Sequence, residues 1–160
     1  MATTTKGSAK FTLPTDDQIL ITREFAAPRH LVYKVWTDPT LVNRWWHAGH
    51  GEMTCCEIDL RVGGKYRFAM NAGGMEVAFH GEFKEIITNE KIVAVEVYEG
   101  APEFPALNTT TFEESGDRTV FRLLIQCPSK MSRDAVIASG MEAGFQVGMD
   151  LAEQVAVSLL

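Results

Sequence analysis

A chain of 160 residues, 46% hydrophobic and 22% charged, is long enough to bury roughly 70% of the surface that its unfolded form exposes. It has no unbroken apolar run of the roughly 20 residues that a membrane-spanning helix needs. A formal net charge of -6 and a pI near 5.2, with no cluster of Lys or Arg, oppose the phosphate-neutralising surface of a nucleic-acid binder.

The three cysteines, two of them adjacent at Cys55 and Cys56, are an odd and badly spaced set for a disulfide framework. The opening MATTTKGSAK lacks the apolar core of a secretory signal, so reduced thiols and a cytoplasmic setting are expected. Residues 1–14, rich in Thr, Ser, Lys and Gly, read as a flexible lead-in, with one domain over 15–160.

From Gln18 to Phe25, β-branched residues and alternation predict a strand that ends at Ala26-Ala27-Pro28. Pro28 suits the first turn of a helix whose apolar stripe is Leu31, Val32, Val35 and Trp36. Asp38 then caps a second short helix with Pro39 at its first position, and Leu41, Val42, Trp45 and Trp46 repeat the stripe. Runs at 52–60, 64–71, 75–87, 91–98, 107–114 and 118–126 alternate like strands, separated by Gly63-Gly64, Ala72-Gly73-Gly74, Asn89-Glu90 and Ser115-Gly116-Asp117. These intervals suit antiparallel hairpins. After Pro128 the apolar spacing returns to three or four, predicting one long helix through Ile137, Met141, Phe145, Ala152, Val155 and Leu159, capped by Ser129 or Ser132.

Gly140, Gly144 and Gly148 fall inside that helix, where each costs about 1 kcal/mol relative to Ala. Either helix and sheet approach closely there, or the missing side chains leave a cavity beside Met141, Phe145 and Met149. Alternation puts Tyr66, Phe68 and Met70 on one strand face, and Val77, Phe79, Gly81 and Phe83 on another, with Phe112 and Thr110 as a further wall. His80 and Glu82 have the opposite parity and are expected in solvent.

The stretch RWWHAGHGEMTCC (44–56) concentrates reactive residue types. His47 and His50 with Cys55 or Cys56, and Glu52, are the right elements for a metal site, yet a strand sends Cys55 and Cys56 to opposite faces. The paired Cys-x-x-Cys or His-x-x-x-His spacing is missing, so no metal is expected. Cys56 as a nucleophile beside His50 or His80 requires a tertiary accident, and buried thiols are usually inert. Phosphate-loop readings fail because Thr54 and Asp59 stand where glycines are needed. Glu57, Asp59 and Glu96 suit acid-base work only if one faces a cavity, where burial raises its pKa; their ordinary role is solvation or pairing with Arg61 or Arg67. No cofactor or catalytic residue is expected.

Arg23-Glu-Phe-Ala-Ala-Pro28, Trp36-Thr-Asp-Pro39, Arg44-Trp-Trp46, Cys56-Glu-Ile-Asp-Leu-Arg-Val-Gly-Gly64, Gly81-Glu-Phe-Lys-Glu-Ile86 and Ser139-Gly-Met-Glu-Ala-Gly-Phe145 together resemble one family. It is the activator of heat-shock protein 90 ATPase homologue-like family, within the START-like (SRPBCC, birch-pollen-allergen-like) superfamily. The resemblance implies an α+β helix-grip fold: a curved antiparallel sheet wrapped around a long C-terminal helix, two short helices after the first strand, and a cavity between. Two departures stand out: His47-Ala48-Gly49-His50 where many members have Gly-Pro, and Asp150-Leu151-Ala152 where Asp-Arg-Leu is usual.

The function expected is non-catalytic binding of a small hydrophobic molecule. Its pocket would be lined by Trp45, Trp46, Phe68, Met70, Phe79, Phe112, Met141, Phe145 and Met149, with His47 and His50 at the mouth. The protein partners expected are a chaperone, through the family name, or a second copy of the chain. The alternatives are modulation of a chaperone ATPase and a hydrolase or cyclase acting in the same cavity.

Overall fold

Alternating runs make up much of the chain, and in the computed structural model, which describes residues 9–160, they pair into one eight-stranded sheet. The strands are β1 (Lys10–Thr12), β2 (Gln18–Phe25), β3 (Glu52–Ile58), β4 (Lys65–Ala72), β5 (Met75–Ile87), β6 (Lys91–Tyr98), β7 (Ala106–Ser115) and β8 (Arg118–Gln126). Their order is β1-β2-β8-β7-β6-β5-β4-β3, every pair antiparallel. The turn between β4 and β5 needs positive φ at both central residues to match the strand twist, and Gly73 (φ 61°) and Gly74 (φ 87°) supply it.

Two short helices, α1 (Arg29–Thr37) and α2 (Pro39–Val42), follow β2, and α3 (Lys130–Ala138) and α4 (Met141–Ser158) follow β8. Asp38 caps α2 by accepting from the Thr40 N–H at 3.0 Å, and Ser129 caps α3 by accepting from Ser132 N–H at 3.1 Å. The fold is α+β and helix-grip-like, with the long C-terminal helix packed against the sheet. Met149, Ala152, Val155 and Ala156 of α4 join Ile19, Ile21, Phe112, Phe121, Leu123 and Ile125 of the sheet in one buried cluster.

Two expectations change. The C-terminal run is two helices, because Gly140 adopts a left-handed conformation (φ 83°) just past the end of α3. Glycine reaches that conformation without a Cβ penalty, so Gly140 is a helix stop and carries no interior cost. Secondly, residues 10–12 of the expected lead-in form β1, paired with β2 through Lys10↔Thr22 and Thr12↔Leu20. The anchors are distant in sequence: Gln146 of α4 bonds the Ala9 N–H (3.2 Å) and C=O (2.8 Å), and Phe145 meets Phe11 edge-on at 6.3 Å. The first eight residues of the lead-in lie outside the described residues.

Helix and sheet are also joined by buried charge. Arg23 of β2, 1% exposed, shares the inward parity of Ile19, Ile21 and Phe25. It reaches Asp150 at 2.8 Å and Glu153 at 3.4 Å on α4. Glu153, 0% exposed, also accepts from the Ala26 N–H at 2.8 Å, and the guanidinium lies 4.6 Å from the centre of the Phe25 ring. A buried carboxylate with a cation and a backbone donor is the arrangement that offsets desolvation.

Candidate functional site

Along β6, Ile92, Ala94 and Glu96 share one face by strand parity, as do Asn108 and Thr110 of β7, Leu123 of β8, and Tyr66 and Phe68 of β4. These inward residues, with Phe83, Ile58, Trp36, Thr37, Trp45, Trp46 and Phe145, line a partly open cavity of about 130 Å³ between sheet, short helices and α4. Gly81 makes one wall possible. It stands opposite Tyr66, and a Cβ there would collide with the Tyr66 ring and the Val95 carbonyl. Tyr66 can therefore lie flat over the strand and donate its hydroxyl to Val95 O at 2.8 Å.

The apolar end is aromatic. Tyr66 stacks near Phe68 and Phe83, each with centroids 5.3 Å away, and Trp46 meets Phe68 at 5.6 Å. Trp45 is largely core, stacked on Trp36 at 4.4 Å with its indole N–H donated to Val35 O at 2.9 Å, and only part of it reaches the cavity.

The other end is polar. Asn108 pairs with Ala94 in register, so its amide is diagonal to Glu96 across the β6-β7 ladder. Glu96 keeps accessible surface where it lines the cavity, while protein encloses its carboxyl. Burial pushes the Glu96 pKa above the usual carboxylate range, and a hydrogen bond from the Asn108 side chain pulls the opposite way. Tyr66 is driven well above the ordinary phenol range, by burial first and by the nearby Glu96 charge second. Among the described residues no Lys, Arg or His lines the cavity.

Of the residues named from sequence, Trp45, Trp46, Phe68 and Phe145 stand in the cavity wall. Phe79 lies behind Trp46 at 5.7 Å and continues to Tyr98 at 5.0 Å, leading away from the cavity toward solvent. Met70, partly buried, pairs with Val77 farther along the same hairpin. Phe112 is 2% exposed and packs edge-on against Tyr33 and Phe121, in the core beyond the wall. Met149 is core, and Met141 packs on the core's edge.

His47 accepts the Gly49 N–H on its Nδ1 at 2.9 Å, and His50 is exposed with its Nε2 4.0 Å from where a Gly144 Cβ would be. The helix glycines thus face the loop after α2 rather than the sheet: Gly148 sits under Ala48 and the Trp45 backbone, 3.7 and 3.9 Å from a Cβ position. Sequence reasoning named Glu96 only conditionally and passed over Ile92, Ala94, Asn108 and Leu123. The usable signal was the two-residue spacing of Ile92, Ala94 and Glu96.

The remaining reactive groups diverge. Cys55 Sγ faces Arg67 O at 3.7 Å and Cys56 Sγ faces Pro39 O at 3.3 Å, from opposite faces of β3. Burial, with smaller effects from Cys55 and Asp38, pushes the Cys56 thiol up to about 11, so thiolate is scarce at neutral pH. Among the described residues no three His, Cys, Asp or Glu side chains converge to hold a metal. Glu57 is exposed, and Asp59 pairs with Arg61 at 2.8 Å. On the outer face Arg67 and His80 both bond Glu99, at 2.9 and 2.8 Å, and hold it down to about 2, Arg67 having the larger effect.

The same architecture recurs in solved structures. A Rhodobacter sphaeroides protein matches with a TM-score of 0.87 at 21% identity, covering 96% of this chain and 100% of that one. A Nitrosomonas europaea protein gives 0.80 at 19% identity over 89% and 96%, and a Mycobacterium smegmatis protein 0.80 at 22% over 92% and 94%. No curated protein matches the chain. Among the described residues no helix is long and apolar enough to cross a membrane. Residues 26–154 match the family described as "Activator of Hsp90 ATPase homolog 1-like protein", a span from the end of β2 into the last turns of α4 that takes in every residue of the cavity wall. The chain belongs to that family.

Proposed function

We propose that the protein binds a small hydrophobic molecule in the cavity between sheet and C-terminal helix, without transforming it. The observation that carries this reading is the cavity itself. Interiors normally pack without spaces larger than a water molecule, because an empty wall forfeits its dispersion contacts. About 130 Å³ walled largely by aromatic and aliphatic side chains is close to the roughly 150 Å³ of an apolar cavity known to admit benzene. Affinity would come from apolar burial at about 25 cal/mol per Å². The three free thiols support a reducing, cytoplasmic setting.

Toluene titrated into the protein and followed by NMR shifts of cavity residues tests the reading, with Ala94→Leu as the control. Saturable binding by the wild type, lost in Ala94→Leu with stability held or raised, is the expected result. No binding by the wild type, together with an overpacking cost of about 1–3 kcal/mol in the variant, would sink it.

Glu96 gives specific support to a second reading, in which the cavity is an active site. An enclosed carboxyl whose pKa burial raises holds its proton more firmly than a solvated one and is suited to general acid chemistry. Hydrolysis or cyclisation of an apolar substrate that disappears in Glu96→Gln, while the variant still binds toluene, would favour this reading over simple binding.

A further inference from the structure

The polar end of the cavity has more acceptors than donors. Glu96 offers two carboxylate oxygens, and Asn108 Oδ1 is buried with no donor among the described residues. Tyr66, the other ionisable group on the wall, has already committed its hydroxyl to Val95 O. Asn108 Nδ2 and the buried Thr110 hydroxyl are the donors that remain. No cationic side chain lines the cavity, and no ion pair involves Glu96 among the described residues. A buried carboxylate ordinarily has a cation or a full set of donors, and here the open space lies where they would stand.

We propose that the ligand is an amine, bound as its ammonium ion against Glu96 and Asn108, with its apolar body among Phe68, Trp46 and Leu123. An ammonium supplies the charge and the three donors that this corner lacks. A net charge of -6 adds a long-range attraction for cations. A neutral hydroxyl could use one acceptor but would leave Glu96 without a counter-charge. This inference rests on the cavity being a ligand site, and it adds the chemical class of the ligand.

The test compares dissociation constants of benzylamine, benzyl alcohol and toluene at neutral pH by calorimetry, for the wild type and Glu96→Gln. Benzylamine should bind the wild type about tenfold or more tighter than either neutral probe, the size of a charge-assisted hydrogen bond. Glu96→Gln should erase that preference while keeping toluene affinity. If Glu96→Gln no longer binds toluene, Asn108→Ala takes its place, and the preference should fall severalfold there. Equal affinity for the three probes in the wild type, or a preference that survives the substitution, overturns the amine assignment and leaves the cavity reading standing. If no probe binds, the cavity reading fails, and the amine assignment fails with it.

Discussion

Glu153 and Glu96 are both acids enclosed by protein, yet their surroundings differ in kind. Glu153 faces the buried guanidinium of Arg23 and accepts the Ala26 N–H. Glu96 faces a cavity, with the Asn108 amide as its hydrogen-bonding neighbour and no cation among the described residues. A buried carboxylate whose counter-charge and backbone donor are supplied by the fold joins α4 to β2. One whose partners are incomplete and which borders empty space is a cost to the fold, and that cost is what a ligand could relieve. The difference separates a structural acid from a functional one more sharply than burial does.

The largest expected effect comes from breaking the ion-paired site. Arg23→Ala removes the cation from between Asp150 and Glu153 and should lower unfolding stability by about 3–5 kcal/mol, measured by urea denaturation. Next, Glu153→Gln weakens the charged hydrogen bond to Ala26 and leaves Arg23 with less counter-charge, a loss of about 1–3 kcal/mol.

The same substitution at Glu96 should have the opposite sign. Because the folded pKa of Glu96 is raised, the fold favours its protonated form. That contribution is fully present below the ordinary Glu value of about 4.3 and is lost as pH rises through the folded value. Glu96→Gln cannot ionise, so its stability relative to wild type should increase from pH 4 to pH 8, as read from paired denaturation curves at each pH. Tyr66 and Cys127, the neighbours coupled to Glu96, both have raised values themselves and stay neutral through most of this range. A flat difference across that range would erase the contrast between the two acids.

The smallest effect tests α4 without touching either acid. A Cβ at Gly144 would meet nothing nearer than His50 Nε2 at 4.0 Å, so Gly144→Ala should raise stability by up to about 1 kcal/mol through helix propensity. A loss there would mean that the 47–50 loop packs more tightly on α4 than the geometry indicates.

Much of the fold could be read from the sequence because alternation and turn residues are local signals: β2, the six-strand meander and both short helices follow from them. β1 could not, since its three residues are held by Gln146 and Phe145, which are remote in sequence. Gly140 looked helical by spacing and ends a helix because of its φ. The cavity was harder for a related reason. Parity says which residues share a face but not how far the cavity extends, so Met70, two residues beyond Phe68, and Phe79, directly opposite Phe68 on β5, share its face and yet stand outside the wall. A bulge between Phe83 and Glu85 then resets the parity of β5: Ile86 packs on the core, and Ile87 is 44% exposed. Glu96 could be found by continuing the Ile92, Ala94 row one step, but that step requires knowing that the row faces inward.

The most direct measurement is an isotope-filtered nuclear Overhauser experiment on the protein saturated with toluene. Contacts from the probe to Phe68, Ile92, Ala94 and Leu123 are predicted, at an occupancy that saturates. Contacts confined to exposed side chains such as Tyr98 and Phe104, or shifts that never saturate, would contradict a ligand site between sheet and helix.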